Sequence, residues 1–251
     1  MTNGNNLHAY WAIAPYYENL IRRDYCGWGE FLLSLLGEYS HGKIGVDAAC
    51  GSGYFTRVLK KNGFNVVGTD ISPEMLTQAQ QLSAAEGLSI EYRLQDLSKF
   101  KTTEKVDFVT VINDGFNYLD GEKLKKSFTA IYSSLAKGGV LIFDVSSEYK
   151  LLNVIGNNVF CEDDDNVSYM WFNTLENDRV IMELSIFERV GEFYRKNEES
   201  HVQYVHTADF ILKTLETVGF EVVRVCAELG RELNEKSERI IFVAKKNGKN
   251  L

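Results

Sequence analysis

The chain has 251 residues, 45% of them hydrophobic and 25% charged, ordinary values for a globular protein large enough to bury a substantial core. Its formal charge of −8 argues against a nucleic-acid partner, because phosphate recognition normally asks for a basic face. Cys26, Cys50, Cys161 and Cys226 lie far apart and form no CxxC pair, so neither a metal site nor a disulfide framework is expected.

Taken in chain order, the opening MTNGNNLHAYWAIAPYY lacks the basic and apolar regions of a secretory signal. No later run approaches the roughly twenty apolar residues of a membrane span, so no membrane contact and a cytoplasmic location are expected. The stretch YWAIAPYYENLIRRDYCGW is rich in rings, with Trp11, Tyr16, Tyr25 and Trp28 open to ordinary packing, and His8 and His41 read as surface positions. From Lys43 onward, short β-branched runs (KIGVDAA, NVVGTD, IEYRLQD, VDFVTVIND, GGVLIFDVS) alternate with helix-like stretches, the pattern of parallel strands with crossover helices. SPEMLTQAQQLSAAEG carries a Ser72 cap, Pro73 at the first helical position and Gly87 at its end. GEKLKKSFTAIYSSLAKGG reads as a helix running to a Gly-Gly stop.

The rhythm then changes. EDDD at Glu162–Asp165 reads as a solvated loop, and YMWFNTLEND, RVIMELSIFERVG and EFYRKNEESHVQYVHT predict an antiparallel meander over Tyr169–Thr207 with turns at END and VGE. ADFILKTLETVGF returns to helix, and EVVRVCAE and RIIFVAKK supply the last strands. The expected organisation is a main domain over 1–149 and 207–251, interrupted by a β insertion over 150–206.

The turn in VDAACGSGYFTRVL sits where the first strand meets its helix, the place at which doubly wound sheets bind ligands. Gly51 and Gly53 permit positive φ and close backbone approach; a tight strand-helix turn is the simpler alternative. Gly51-Ser52-Gly53 is followed by Tyr54 and Phe55 without the third glycine of a GxGxxG fingerprint, and no GxxxxGK[ST] run exists. Dinucleotide and nucleoside-triphosphate readings therefore recede. Asp70, seventeen residues after Gly53, ends the second strand where a carboxylate could accept from two ribose hydroxyls. In LQDLSKF, Asp96 could accept from an adenine amino group while Leu97 packs on the ring.

These residues resemble the class I S-adenosylmethionine-dependent methyltransferases: VDAACGSG their first motif, VVGTDISPEML their acidic loop, LQDL their adenine side, LAKGGVLIFDV the entry to strand five and SERIIFVAKK the reversed last strand. Tyr17-Glu18, Asn117-Tyr118-Leu119 and Glu199-Ser200-His201 resemble motifs of a bacterial group, largely of unassigned substrate, with a small β cap after strand five. Ala49 departs from the usual first glycine and narrows the loop slightly, and Glu18 stands where Asp is common.

The resemblance implies an α/β, Rossmann-like seven-stranded sheet of order 3-2-1-4-5-7-6 with the last strand antiparallel, an N-terminal helical lid over roughly residues 1–40, and the β cap on the substrate side. It implies S-adenosylmethionine as cofactor, with S-adenosylhomocysteine as product. Asp70 would hold the ribose, Asp96 the adenine amino group, and the backbone near Gly51 the methionine portion, with Ala49, Cys50, Gly53, Ile71, Met75 and Leu97 around them. Asp47 would orient the loop or meet the methionine ammonium through water. Tyr17 would close over the sulfonium, where a ring offers cation–π attraction.

A methyl sulfonium is already activated, so alignment and exclusion of water are the protein's task, with no metal and no covalent intermediate implied. INDGFNYL leaves strand four at the donor pocket, so Asn113 and Asp114 would line the cofactor while Asn117 and Tyr118 face the acceptor; a plain DG turn with Tyr118 in the core is the other reading. The segment lacks the [ND]PP[YF] pattern of planar-amine methylation. His201 ends the predicted cap and is the histidine nominated for proton transfer, against the simpler reading of a polar strand end; His206, next to the Thr207 that caps the following helix, ranks below it. The expected function is methyl transfer to a small-molecule acceptor, the alternatives being a modified tRNA nucleoside or a cofactor-binding protein without turnover.

Overall fold

The computed structural model describes residues 10–20, 25–163 and 165–247, without the side chains of residues 19, 20, 25 and 26. The β-branched runs pair into a seven-stranded sheet: β1 (Ile44–Ala48), β2 (Asn65–Asp70), β3 (Glu91–Leu94), β4 (Val106–Val111), β5 (Leu135–Ser146), β10 (Phe220–Ala227) and β11 (Arg239–Lys246). Its order is β10-β11-β5-β4-β1-β2-β3, in which β11 runs antiparallel to both neighbours. Counted within the sheet, this is 3-2-1-4-5-7-6 with the last strand reversed, as expected.

Helices cover both faces, as a parallel sheet requires. Leu32 and Leu36 of α2 (Tyr25–Tyr39) and Leu59 of α3 (Tyr54–Lys61) pack with Phe108, Ile142 and Val243. Phe128 and Ile131 of α5 (Gly121–Ser134) and Leu215 of α6 (Ala208–Val218) join Val109, Phe143 and Phe242 in a second core. Trp28 is buried in the first of these, the ordinary packing its sequence context allowed. The caps act as read: Ser72 accepts from the Met75 amide at the start of α4 (Pro73–Ala85), and Thr207 accepts from the Phe210 amide.

The expected Gly-Gly stop of α5 is displaced. The helix ends at Ser134, because fully buried Leu135 already pairs with Val106 of β4; Gly138, at φ 76°, falls in the irregular part of β5.

Between β5 and α6 lies a separate antiparallel sheet of order β6-β7-β8-β9: β6 (Val159–Asp163), β7 (Val167–Glu176), β8 (Arg179–Val190) and β9 (Phe193–Tyr204). Its first strand was hidden in the sequence, and Glu162 and Asp163 are strand residues rather than a solvated loop. Their backbones pair with Tyr169 and Ser168 while the strand stays largely open to solvent, so no apolar alternation announces it. The inner face of this sheet, with Val180, Met182, Leu184 and Ile186, packs on Leu151 and Ile155 and also receives Ala12 and Ile13. The N-terminal segment thus enters the core of the second sheet. Tyr17–Leu20 forms a short helix, α1, after it. His8 and the Tyr25 ring lie outside the described residues. Among the described residues no helix is long and apolar enough to cross a membrane.

Candidate active site

A cavity of about 390 Å³ opens at the carboxyl ends of β1, β2, β3 and β4. Of the residues nominated from sequence, Tyr17, Ala49, Cys50, Gly51, Asp70, Ile71, Met75, Asp96, Leu97, Asn113 and Tyr118 line it. Asp47, Gly53 and His201 do not.

The loop after β1 owes its shape to three left-handed residues, Ala49 (φ 53°), Gly51 (φ 54°) and Gly53 (φ 79°). For alanine this conformation costs about 1 kcal/mol or more. The room for its methyl comes from Gly115, where an added Cβ would stand 2.9 Å from Ala49 Cβ. At Gly51 an added Cβ would meet nothing within 4 Å, so the loop presents an open face to the cavity. Gly53 instead caps α3, and a Cβ there would strike the Tyr92 hydroxyl.

Asp70 is fixed by two backbone donors, the Gly51 amide to Oδ2 (2.8 Å) and the Ser72 amide to Oδ1 (2.9 Å), and burial raises its pKa against their pull. Asp47 lies beneath the loop, accepting from Thr56 Oγ1 (2.6 Å) and Thr110 Oγ1 (2.8 Å). Burial pushes the Cys50 thiol well above its usual range, with the Asp70 and Asp47 charges adding to the effect, so it stays protonated and is no nucleophile. Asp96 Oδ1 accepts from the amide and hydroxyl of Ser98, each at 2.8 Å, while Oδ2 lies 4.0 Å from the Lys99 ammonium.

At the far end Asn113 (φ 79°) and Asp114 (φ 54°) hold left-handed conformations, which these two residue types tolerate and which partners on their amides fix. Buried Asp144 supplies them, accepting from the Asn113 amide (2.6 Å) and the Asp114 amide (3.1 Å). Arg239 pairs with Asp144 and with Asp114 (3.0 Å), and Gln203 Nε2 donates to Asp114 Oδ2 (2.7 Å). Asp114 is therefore committed to this network and is absent from the cavity wall, unlike its sequence reading. Asn117, expected to face the acceptor, is fully buried as a joint: Nδ2 donates to the Ser146 and Tyr204 carbonyls (3.2 and 3.0 Å) and Oδ1 accepts from the Ser146 amide (2.9 Å).

Tyr118 does reach the cavity, with its hydroxyl 2.5 Å from that of Tyr10, a wall residue the sequence did not single out. Burial raises both tyrosine pKa values, so both hydroxyls remain protonated. The Tyr17 hydroxyl accepts from Asn113 Nδ2 (2.7 Å), and Glu18 accepts from Ser52 Oγ (2.5 Å) and from Arg57 on both oxygens (3.0 and 2.9 Å). His201 sits one layer back, its Nε2 2.9 Å from Glu199 Oε2 and its ring edge-on to Tyr10 at 4.6 Å. His206 contacts the Leu119 carbonyl through Nε2 (2.9 Å), burial lowering its pKa, and His41 is exposed. Tyr204, from the end of β9, completes the wall; nothing in its local sequence marks it.

Among the described residues no cluster of side chains suits a metal ion. The cavity instead offers carboxylates at two strand ends, an open glycine face between them, and protonated tyrosines at the far end.

A family model described as a methyltransferase domain matches residues 45–139. A "Putative methyltransferase" of Geobacillus sp. (strain WCH70) is 32% identical, covering 94% of this chain and 99% of its own. "Putative methyltransferase YqeM" of Bacillus subtilis (strain 168) is 31% identical, covering 95% and 97%. The crystal structure of a S-adenosylmethionine-dependent methyltransferase from Clostridium acetobutylicum ATCC 824 superposes with a TM-score of 0.87 at 35% identity, covering 95% of this chain and 99% of that one.

Proposed function

The chain belongs to the S-adenosylmethionine-dependent methyltransferases, and from that premise we propose that it methylates a small molecule enclosed between the tyrosine end of the cavity and the second sheet. The observation that carries this reading is the continuity of one cavity from Asp70 and Asp96 to Tyr10, Tyr118 and Tyr204. Enclosure on that scale suits a small acceptor. The charge of −8 supports the same choice over an RNA acceptor.

When bound, S-adenosylmethionine supplies a methyl group already activated on a sulfonium. Asp70, oriented by two amides, accepts from the ribose hydroxyls; Asp96 Oδ2 is the oxygen available to the adenine amino group, and Leu97 packs on the ring. The open face of Gly51 admits the methionine portion beside Cys50 and Ala49. Ile71 and Met75 wall the ribose side. Tyr17, held by Asn113, places its ring at the sulfonium end. Tyr118 and Tyr10 act as protonated hydrogen-bonding groups that orient the acceptor, and the lid and second sheet exclude water. Asp47 shapes the loop from below.

The test is direct. S-adenosylhomocysteine should raise the melting temperature of the purified protein, and Asp70→Ala should weaken its binding at least about tenfold, since each charge-assisted hydrogen bond contributes roughly 1.5–3 kcal/mol. Incubation with S-adenosylmethionine and a metabolite library, followed by assay for S-adenosylhomocysteine, should reveal an acceptor. Turnover only with tRNA would replace the small-molecule reading, and binding without any turnover would mark a non-catalytic protein.

A further inference from the structure

We propose that Glu199 is a positioning residue: its buried carboxylate docks residues 10–13 onto the second sheet and so seats Tyr10 as a wall of the cavity. The inference rests on the methyltransferase reading of that cavity.

Glu199 lies in the middle of β9, opposite Leu184 on the inner face of the sheet, and is 5% exposed. A carboxylate there is costly unless its oxygens are satisfied. Its donors come mostly from one short segment. Oε1 accepts from the amides of Ala12 and Ile13 (the latter at 2.9 Å), and Oε2 from the Tyr10 amide (3.2 Å) and His201 Nε2 (2.9 Å). Three amides converging on one carboxylate form an anion-binding turn built from the N-terminal segment. That turn places Tyr10 at φ 69°, a conformation a non-glycine residue holds only when its surroundings demand it.

The consequence reaches the cavity. Tyr10 stands there with its hydroxyl on Tyr118 and its ring against those of Tyr17 (5.6 Å) and His201 (4.6 Å). The other end of the segment is tied to the glycine loop by Glu18 with Arg57 and Ser52. Residues 10–18 therefore join the second sheet to the cofactor loop, held at each end by an acidic side chain. Glu199 controls the end that carries Tyr10, and His201 supports the same ring rather than reaching into the cavity.

The experiment is a double-mutant cycle in the full chain with S-adenosylhomocysteine as the probe, its dissociation rate read by stopped-flow fluorescence. Glu199→Gln should speed release roughly tenfold, and Tyr10→Ala comparably. In the Tyr10→Ala background, Glu199→Gln should add little, because the carboxylate acts through that residue. A release rate in Glu199→Gln equal to that of the wild type would overturn the proposal, as would effects that multiply independently. If Glu199→Gln does not fold, Glu199→Asp keeps the charge, shortens the reach and enters the same cycle. Absence of S-adenosylhomocysteine binding by the wild-type chain would instead overturn the methyltransferase reading, and the proposal with it.

Discussion

Asp47 shows how a single carboxylate can serve the loop without touching the cavity. It is 1% exposed, and burial raises its pKa to about 6 despite the Thr56 and Thr110 hydroxyls that favour its charge. In the unfolded chain the same group titrates near 3.9. Between those values the folded protein holds a proton that the unfolded one has lost. The Asp47 contribution to stability therefore falls as pH rises from about 4 to 6 and is level above. Asp47→Asn removes that dependence. From pH 4 to pH 7 its stability relative to wild type should improve by on the order of 2–3 kcal/mol, measured by urea unfolding at both pH values. A difference independent of pH would contradict the raised pKa. The place of Asp70, Asp96 and the glycine loop on the cavity wall was legible from sequence because each adjoins a strand end. Asp114 was misread because its partner Arg239 is 125 positions away.

At the scale of elements, the start of β11, the end of β5 and the turn after β4 meet at Arg239, and β9 joins them through Gln203 on Asp114. Its guanidinium is buried between Asp114 and Asp144 and lies over the Trp28 ring at 5.8 Å. Removing one partner of such a cluster strands charges in the interior, a loss of about 3–5 kcal/mol. Arg239→Met should accordingly lower the midpoint of chemical unfolding sharply, and weaken S-adenosylhomocysteine binding as Asn113 loses its left-handed geometry. Arg239→Lys should recover part of the stability, because a point charge replaces a planar fork. Equal midpoints for Arg239→Met and wild type would show that the pairing contributes nothing net. Two element boundaries escaped the sequence on related grounds. The end of α5 is set by Leu135 pairing with β4, and β6 exists because β7 offers it an edge. Neither partner is visible within the segment itself.

Over the whole molecule, residues 10–18, the turn after β4 and the inner face of β9 form one connected surface around the cavity. Binding of S-adenosylhomocysteine should therefore slow amide exchange in residues 10–18, 113–119 and 199–204 together. Hydrogen-exchange mass spectrometry with and without the ligand reads this, and protection confined to the β1 and β2 loops would separate the tyrosine end from the cofactor site. The sequence by itself determined the alternation of strands and helices, the caps at Ser72 and Thr207, the glycine turn and the acidic strand ends. Each depends on propensity, periodicity or turn chemistry within a few residues. Only the tertiary structure decided which buried polar groups meet: Glu199 with an amide 186 positions earlier, Arg239 with two carboxylates, Asn117 with the ends of β5 and β9. Such pairings are chosen by the need to satisfy every desolvated donor and acceptor once the chain has packed, and that requirement leaves no period in the sequence to read.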